Sequence, residues 1–186
     1  LGGGYGVRYT QEDEAIDIPA RLAELAAYLK EETERLGLPM PRFLMEPGRS
    51  IVADAGMTLY TVGSVKRIPG YKQYAAVDGG MTDNPRYALY QSRYTVYHAH
   101  KSGSMERFDV VGRCCESGDI IQPGVELPGD TCRGDILAVC TTGAYNYSMA
   151  SNYNRLPRPA VVMLTPDRIY EAVRRETFAD LTGLDL

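Results

Sequence analysis

The fold is decided by residues 57–77, MTLYTVGSVKRIPGYKQYAAV. Two runs rich in valine, threonine and tyrosine, Met57–Ile68 and Tyr74–Val77, lie on either side of a Pro69-Gly70 pair. β-Branched and aromatic residues favour pleated, half-buried surfaces, and a Pro-Gly pair marks a turn. The stretch therefore predicts two β-strands with a turn between them.

The same alternation of β-like runs and turn signals continues towards the C-terminus. Short strands at such regular spacing are typical of a small β-barrel or sandwich. Near the end, Arg168–Glu176 is favoured as a strand and Thr177–Leu184 as a closing helical turn or two. The further runs are Tyr94–Ala99, Phe108–Cys114, Ile136–Cys140 and Ala160–Leu164, and the turn signals include Asp78-Gly79-Gly80, Gly103-Ser104, Pro123-Gly124 and Pro128-Gly129-Asp130.

The residues before Gly48 follow a different pattern. From Ile18 to about Leu36, leucines recur at helical spacing, with Pro19 in the first turn and Gly37 at the stop. Arg42–Glu46 then reads as a short buried strand. Glycine loop, helix and strand in this order indicate an α/β unit. We therefore predict an α/β part, residues 1–47, followed by an all-β part, residues 48–186.

Composition excludes some classes of function. The chain has 186 residues, 44% hydrophobic and 24% charged, with a formal net charge of −4, which is ordinary for a soluble globular protein. A mildly acidic chain has no electrostatic reason to bind nucleic acid or an anionic membrane. No apolar run approaches the roughly 20 residues that span a bilayer, and no signal peptide is visible.

The cysteine and histidine pattern predicts reduced thiols and no metal site. The four cysteines contain no CxxC pair, and a disulfide between the neighbours Cys114 and Cys115 would be strained. Reduced thiols fit a cytoplasmic protein. His98 and His100 alternate in a predicted strand and would share one side, but no further ligands accompany them.

Two motifs could bind an anion. Gly2-Gly3-Gly4 permits close approach of backbone N–H groups to a phosphate, or is simply a flexible linker. In Glu46-Pro47-Gly48-Arg49, a carboxylate leaves the predicted strand and an arginine fork follows a Pro-Gly turn. Such an arginine matches a phosphate or carboxylate, but a plain turn beside a surface ion pair explains the motif equally well.

Three further motifs carry possible chemistry, each with a structural alternative. Cys115 lies beside Glu116 and Asp119, so a protonated acid fits it better than a thiolate nucleophile; a buried structural cysteine is the alternative.

Arg86 and Tyr90 are four residues apart and would share a helical face. They would offer a cation and a hydroxyl to one anionic group, or they merely pack at the surface. The loop Gly143–Met149 joins flexible backbone to aromatic residues, or is an ordinary loop.

Taken together, the motifs resemble the diaminopimelate decarboxylase family, in the group of pyridoxal-phosphate-dependent enzymes that also contains ornithine and arginine decarboxylases. The resemblance covers nearly the whole chain, and several motifs in the right order are more specific than any one alone. The matching segments are Leu1–Tyr9, Glu46–Val52, Asp78–Asp83, Arg86–Tyr90, Val110–Gly112, Cys115–Asp119, Gly143–Tyr145, Ser148–Asn154, Arg158-Pro159 and Arg174–Thr177.

The resemblance implies a fold and a cofactor. Family members have a pyridoxal-phosphate-binding (β/α)8 barrel and a β-rich C-terminal domain, so this chain would contain the last barrel units followed by a β-barrel or sandwich. Gly3 and Gly4 would cradle the phosphate of pyridoxal 5'-phosphate, and Glu46 would face its pyridine nitrogen. Gly48 and Arg49 would contact phosphate and substrate.

The resemblance also implies an amino-acid substrate and a homodimer. Arg86 and Tyr90 would bind a substrate carboxylate, Tyr145 would contact phosphate and substrate, and Glu116 would meet the distal amino group. Cys115 would supply a proton. The segment around Cys115 and Glu116 would enter the active site from a partner chain.

The implied reaction is decarboxylation of meso-diaminopimelate to L-lysine and CO₂. The family's Schiff-base lysine has no match among Lys30, Lys66, Lys72 and Lys101, so we expect the chain alone to be an inactive fragment. Two alternatives remain open: a polyamine-pathway decarboxylase acting on ornithine, arginine or carboxynorspermidine, and a non-catalytic β-domain that binds a partner or regulates an enzyme.

Overall fold

The computed structural model describes all 186 residues, and a six-stranded sheet dominates it. Two further strands form a separate hairpin near the C-terminus. The elements in chain order are α1 Ile18–Arg35, α2 Arg49–Val52, β1 Met57–Ile68, β2 Lys72–Val77, α3 Arg86–Tyr90, β3 Val96–His98, β4 Met105–Val111, β5 Ile120–Pro128, β6 Ile136–Cys140, α4 Asn146–Met149, a 3₁₀ turn Tyr153–Arg155, β7 Val161–Leu164, β8 Ile169–Val173 and α5 Phe178–Thr182.

The main sheet curves into a nearly closed barrel. Its strand order is β3-β6-β1-β2-β4-β5, with β2 and β4 parallel and the other neighbours antiparallel. The two ends of the sheet approach each other, because the backbone N–H of Tyr94, just before β3, donates to Oε1 of Gln122 on β5 at 2.8 Å. The β-rich architecture predicted from the sequence is confirmed at this level.

The core lies inside this barrel. Along β1 the side chains alternate, with Tyr60 and Val62 buried while Leu59 and Thr61 face outward, as the two-residue period of a strand requires. Apolar side chains from all six strands meet these two in one cluster; Phe108, Ile121, Leu127 and Leu137 are among its fully buried members.

Most predicted strands are present, and β5 is the one that the sequence reading missed. The predicted bounds of β1 and β6 match the structure, and the shorter runs agree to within a few residues. Pro123-Gly124 is a turn signal in the sequence, but β5 passes through it. Gly124 has φ +67°, and the register between β4 and β5 shifts between Phe108 and Val110. A bulge therefore absorbs the residues that usually end a strand.

The N-terminal helix is confirmed, but the strand predicted after it is wrong. Helix α1 starts after Asp17, whose side chain accepts from the N–H of Ala20, and Gly37 just beyond it has φ +64°. Residues 42–46 form no strand. Their one backbone hydrogen bond runs from the N–H of Glu46 to the carbonyl of Gly2, at 3.3 Å. No neighbouring strand in this chain pairs with the segment, and a strand needs such a partner.

The C-terminal predictions hold. Strand β8 lies within the predicted run, and α5 forms the closing helical turn. Thr177 and Asp180 cap α5 reciprocally: each side chain accepts from the other residue's backbone N–H. None of the helices is long and apolar enough to cross a membrane.

Candidate anion-binding cavity and cysteine loop

An open cavity of about 750 Å³ lies where the N-terminal segment meets α2, α3 and α4. Its wall carries three arginines and three tyrosines, so cations and hydroxyl groups dominate its polar surface. These residues are Tyr9, Arg49, Arg86, Tyr90, Arg93 and Tyr145.

Arg86 is buried in the wall, with 6% of its surface exposed. Helix α3 places its guanidinium carbon 5.3 Å from the ring centre of Tyr90 and 5.6 Å from that of Tyr145, within the range of cation–π attraction. The expectation that Arg86 and Tyr90 share a helical face is therefore confirmed. The Nε of Arg86 is buried and has no hydrogen-bond partner in the chain.

Arg49 approaches Tyr145 at a similar distance. Its guanidinium carbon is 5.8 Å from the ring centres of both Tyr9 and Tyr145, and its Nε is also buried without a partner. A buried charged donor without an acceptor is costly. Two such donors in one wall indicate a candidate site for an oxyanion such as a carboxylate or a phosphate.

The one acid of the cavity wall is already engaged. Oδ2 of Asp13 accepts from the N–H groups of Thr10 and Tyr9 at 2.7 and 2.9 Å. These bonds, that from Thr10 foremost, lower the pKa of Asp13 from its ordinary value. The carboxylate thus fixes the N-terminal segment and does not neutralise Arg49 or Arg86, with which it forms no ion pair.

Gly48 and Tyr145 pack closely at the edge of the cavity. A β-carbon on Gly48 would lie 2.7 Å from the hydroxyl oxygen of Tyr145, which is shorter than real Cβ contacts. Tyr145 has φ +73°, a left-handed conformation that is uncommon for a non-glycine residue and is often found at functional sites. The backbone thus holds this tyrosine in a strained conformation beside the two arginines.

The N-terminal glycines contact the segment that leads to Gly48. A β-carbon on Gly3 would collide with the carbonyl oxygen of Glu46, and Gly4 has φ +92°. Only glycine fits both positions without strain. The side chain of Glu46 is exposed, and none of Gly3, Gly4 and Glu46 lines the cavity. Their roles in cofactor binding therefore stay predictions.

Cys115 and Glu116 lie outside the cavity, on an exposed loop. Cys115 has φ +54°, so its backbone is strained in the same way as that of Tyr145. One carboxylate oxygen of Glu116 accepts from the hydroxyl of Tyr153 at 3.3 Å. The predicted site residues therefore form two separate groups within one chain: the arginine cavity and the cysteine loop, residues 114–119.

Asp119 anchors the cysteine loop, a role that the sequence did not reveal. It is buried, with 5% exposure, and its two carboxylate oxygens accept from the N–H groups of Cys114 and Met81, both at 2.6 Å. A β-carbon on either Gly80 or Gly112 would collide with this carboxylate. The signal was its place in the Cys115–Asp119 motif, but sequence alone could not tell an anchor from a reacting acid.

Cys114 and Cys115 have opposite environments. The Cys114 thiol is buried, and burial followed by the charge of Asp119 raises its pKa. The backbone carbonyl of Cys114 accepts a hydrogen bond from the side-chain amide of Asn154 at 2.7 Å. Cys115 is exposed. Only the second thiol of the pair is therefore placed to meet a molecule outside this chain.

The two histidines do not share a face, contrary to the sequence prediction. β3 ends at His98, so His100 lies beyond the strand and is exposed. Nδ1 of His98 accepts from the N–H groups of His100 and Lys101, and its Nε2 faces the carboxylate of Asp135 at 3.1 Å. The imidazole is therefore held by this network, and no group of three or more potential metal ligands includes it.

A nearly closed β-sheet next to an arginine-lined cavity defines the class of this protein, a sheet domain with a cationic pocket at one end. Residues 16–143 match the family described as pyridoxal-dependent decarboxylase, C-terminal sheet domain, and the chain belongs to this family.

Named relatives are diaminopimelate decarboxylases. The chain is 49% identical to that of Bacillus subtilis over its whole length, which is 43% of the relative, and 41% identical to that of Staphylococcus aureus, covering 97% of this chain and 43% of the relative. The chain thus spans less than half of the curated relatives it matches.

Solved structures agree with this fold. A diaminopimelate decarboxylase from M. jannaschi superposes with a TM-score of 0.93 at 32% identity, over all of this chain and 42% of that one. A lysine/ornithine decarboxylase from Vibrio vulnificus, complexed with cadaverine, gives 0.72 at 27% identity over 85% of this chain and 40% of the other.

Proposed function

We propose that the protein to which this chain belongs is a pyridoxal-phosphate-dependent carboxy-lyase that converts meso-diaminopimelate to L-lysine and CO₂. The observation that carries this proposal is the pair of arginines, Arg49 and Arg86, whose guanidinium groups lie near the ring of Tyr145 and whose Nε atoms are buried without a hydrogen-bond partner. Such a wall suits a ligand assembly with more than one oxyanion, and both the cofactor phosphate and the substrate carboxylates are oxyanions.

The residues present fit pyridoxal 5'-phosphate. The unpartnered Nε of Arg49 supports a phosphate contact, and the close packing of the Tyr145 hydroxyl against Gly48 places both residues next to Arg49. We assign Gly3, Gly4, Gly48, Arg49 and Tyr145 to the phosphate. When bound, the cofactor would act as an electron sink for the carbon that loses CO₂.

Glu46 is assigned to the pyridine nitrogen of the cofactor. A carboxylate at this position would keep the ring nitrogen protonated, which strengthens the ring as an electron sink. Glu46 is exposed in this chain and directly precedes Pro47-Gly48, so its side chain is free to meet a ligand beside Gly48.

Arg86 and Tyr90 would hold a substrate carboxylate, with help from Arg49 and Tyr145. Because Arg86 is buried, water screens its charge less than at the surface, and a carboxylate would bind it more strongly. The same contact orients the rest of the amino acid, which places the reacting carbon at a fixed distance from the wall.

Cys115 and Glu116 would act in the cavity of a second copy of the chain. Both are exposed and lie apart from the arginines of their own chain. Asp119 holds the loop rigid enough to present a thiol. In a homodimer, the Sγ–H of Cys115 would donate a proton to the reacting carbon, and Glu116 would accept from the distal ammonium group.

Residues 1–47 would belong to the last units of a (β/α)8 barrel, and residues 48–186 to the C-terminal β domain. Large apolar side chains in residues 36–52 are exposed here, including Leu38, Phe43, Leu44 and Ile51. Such a patch usually marks a surface that another part of a protein covers. The Schiff-base lysine would come from the part of the protein outside this chain. Because the proposed reaction makes an amino acid, we also expect a cytoplasmic location.

A polyamine-pathway decarboxylase is the second candidate, supported by the fold shared with the lysine/ornithine decarboxylase. Arg86 favours the first candidate, because a distal carboxylate requires a cation, while a diamine-like tail requires an acid. A non-catalytic sheet module remains the third, and it has no need for two arginines with unpartnered Nε atoms in one cavity.

The test uses the full-length protein with pyridoxal 5'-phosphate. We expect CO₂ release from meso-diaminopimelate and much less from ornithine or lysine. We expect Arg86→Ala to raise KM for meso-diaminopimelate more than for lysine-like analogues, and an equal effect on both would count against the assignment. Residues 1–186 alone, as a control, should show no turnover.

A further inference from the structure

Tyr9 is the one tyrosine of the cavity wall to which no motif assigns a role. Its carbonyl accepts from both the N–H and the hydroxyl of Thr95, at 3.2 and 2.9 Å, and its N–H donates to Asp13. Its ring packs edge-on against the buried Tyr94, with the ring centres 5.4 Å apart. The barrel core therefore sets the position of the Tyr9 ring.

The hydroxyl of Tyr9 is buried and has no hydrogen-bond partner. A buried hydroxyl without a partner is costly, as are the unpartnered Nε atoms of Arg49 and Arg86 in the same wall. The only lining carboxylate, that of Asp13, is occupied by backbone N–H groups. A ligand with acceptor oxygens in this cavity would supply the partners that these three donors lack.

We propose that Tyr9 is an oxyanion-binding residue. Its hydroxyl donates to an oxygen of the carboxylate or phosphate that Arg49 binds, and its ring, 5.8 Å from the Arg49 guanidinium carbon, limits where that guanidinium can lie. The identity of the oxyanion rests on the proposed function: it is either the phosphate of the cofactor or a carboxylate of the amino-acid substrate.

The test compares Tyr9→Phe with the wild type in the full-length protein. Phenylalanine keeps the ring packing against Tyr94 and removes only the hydroxyl. The affinity for pyridoxal 5'-phosphate is measured by calorimetry on the apoprotein, and that for meso-diaminopimelate by calorimetry in a Cys115→Ala background with little turnover, next to kcat, KM and thermal unfolding. Tyr28→Phe is the matched control, because Tyr28 lies on α1 with 59% exposure, far from any role in the cavity wall.

We expect one of the two affinities to fall about 10- to 100-fold, the value of a hydrogen bond to a charged group. The unfolding temperature should not fall, because the hydroxyl has no partner in the chain to lose, and kcat should stay within about threefold. Weaker binding of meso-diaminopimelate assigns the oxyanion to the substrate, and weaker binding of pyridoxal 5'-phosphate assigns it to the cofactor.

Unchanged affinity for both ligands would overturn the role of Tyr9, and so would a loss of thermal stability with both affinities intact. The proposed function fails separately. A wild-type protein that binds the ligands without releasing CO₂ would refute the proposed decarboxylase activity. The role of Tyr9 would then still be tested by the two binding affinities. A wild type that binds neither ligand would overturn both.

Discussion

The hydroxyl oxygen of Tyr145 occupies the space that a side chain on Gly48 would need, 2.7 Å from the position of its β-carbon. The two residues are almost a hundred positions apart in the chain, and the barrel brings them together next to Arg49 and Arg86. This contact makes the cavity sensitive to the smallest change of side chain.

We expect Gly48→Ala to weaken binding of pyridoxal 5'-phosphate to the full-length protein by more than about tenfold, because the new methyl group displaces Tyr145. In a Tyr145→Phe background, Gly48→Ala should cost much less affinity than in the wild type, since the next atom of the tyrosine ring is 3.6 Å from that β-carbon, an ordinary contact. Fluorescence titration measures the affinities. Gly2→Ala is the control, with nothing within 4 Å of its β-carbon. An equal loss from Gly48→Ala in the wild type and in the Tyr145→Phe background would contradict this account.

Cys115 and Arg86 are predicted to act in the same active site from different subunits. Full-length Cys115→Ala and Arg86→Ala proteins should each have little activity alone. If the two are mixed after partial unfolding and refolded, half of the dimers are mixed, and each mixed dimer contains one intact site. We therefore expect roughly a quarter of wild-type CO₂ release. No recovery in mixtures that demonstrably contain mixed dimers would show that both residues act within one chain.

Asp119→Asn should destabilise the cysteine loop. Asp119 accepts from the backbone N–H groups of Cys114 and Met81, one on each carboxylate oxygen. In asparagine an NH₂ group replaces one of these oxygens, so one of the two N–H donors would lose its acceptor. A buried donor left without an acceptor costs about 1–3 kcal/mol, which urea unfolding of the full-length protein would detect. Asp130→Asn, at an exposed position, should be close to neutral. Equal stability of Asp119→Asn and wild type would rule out the anchoring role.

The ion pair between Glu176 and Arg158 predicts a pH-dependent contribution to stability. Hydrogen bonds from Arg158, its side chain foremost, lower the pKa of Glu176 from 4.5 to about 2. A carboxylate with a lowered folded-state pKa stabilises the fold above its unfolded pKa, and this stabilisation is lost as the pH falls from 4.5 towards 2.

We therefore expect wild type to unfold at a higher temperature than Glu176→Gln at pH 7, with the difference shrinking below about pH 5. Glu31→Gln, on the exposed side of α1, should show no such difference. A gap between wild type and Glu176→Gln that stays constant down to pH 2 would disprove the linkage.

Local sequence patterns were enough to predict most elements of the fold. The alternation along Met57–Ile68 and Ile136–Cys140, and the capping residues of α1, act between neighbours in the chain, so their signals are readable without the fold. The two wrong strand predictions have one cause, which is that pairing with a neighbouring strand cannot be seen in a short stretch of sequence. Arg42–Glu46 is apolar enough for a strand but has no pairing partner here, and Pro123-Gly124 lies in β5 because its neighbour β4 holds the bulge in register.

The candidate site divides in the same way. Residue types at Arg49, Arg86, Tyr145 and Cys115 were visible in the motifs, because each motif is a short run of unusual residues. The burial of these side chains and their hydrogen-bond partners were not visible in the motifs. Only the folded chain decides that the hydroxyl of Tyr9 lacks a partner and that Asp119 spans two loops.

The sequence by itself therefore determined the β-rich architecture, the N-terminal helix and most of the candidate site residues. The tertiary structure decided which of them meet: Arg49 and Arg86 around Tyr145, and Cys115 apart from all three. The physical reason is that propensity and periodicity act over a few residues, whereas burial, close contact and unsatisfied hydrogen bonds arise only when distant segments pack together.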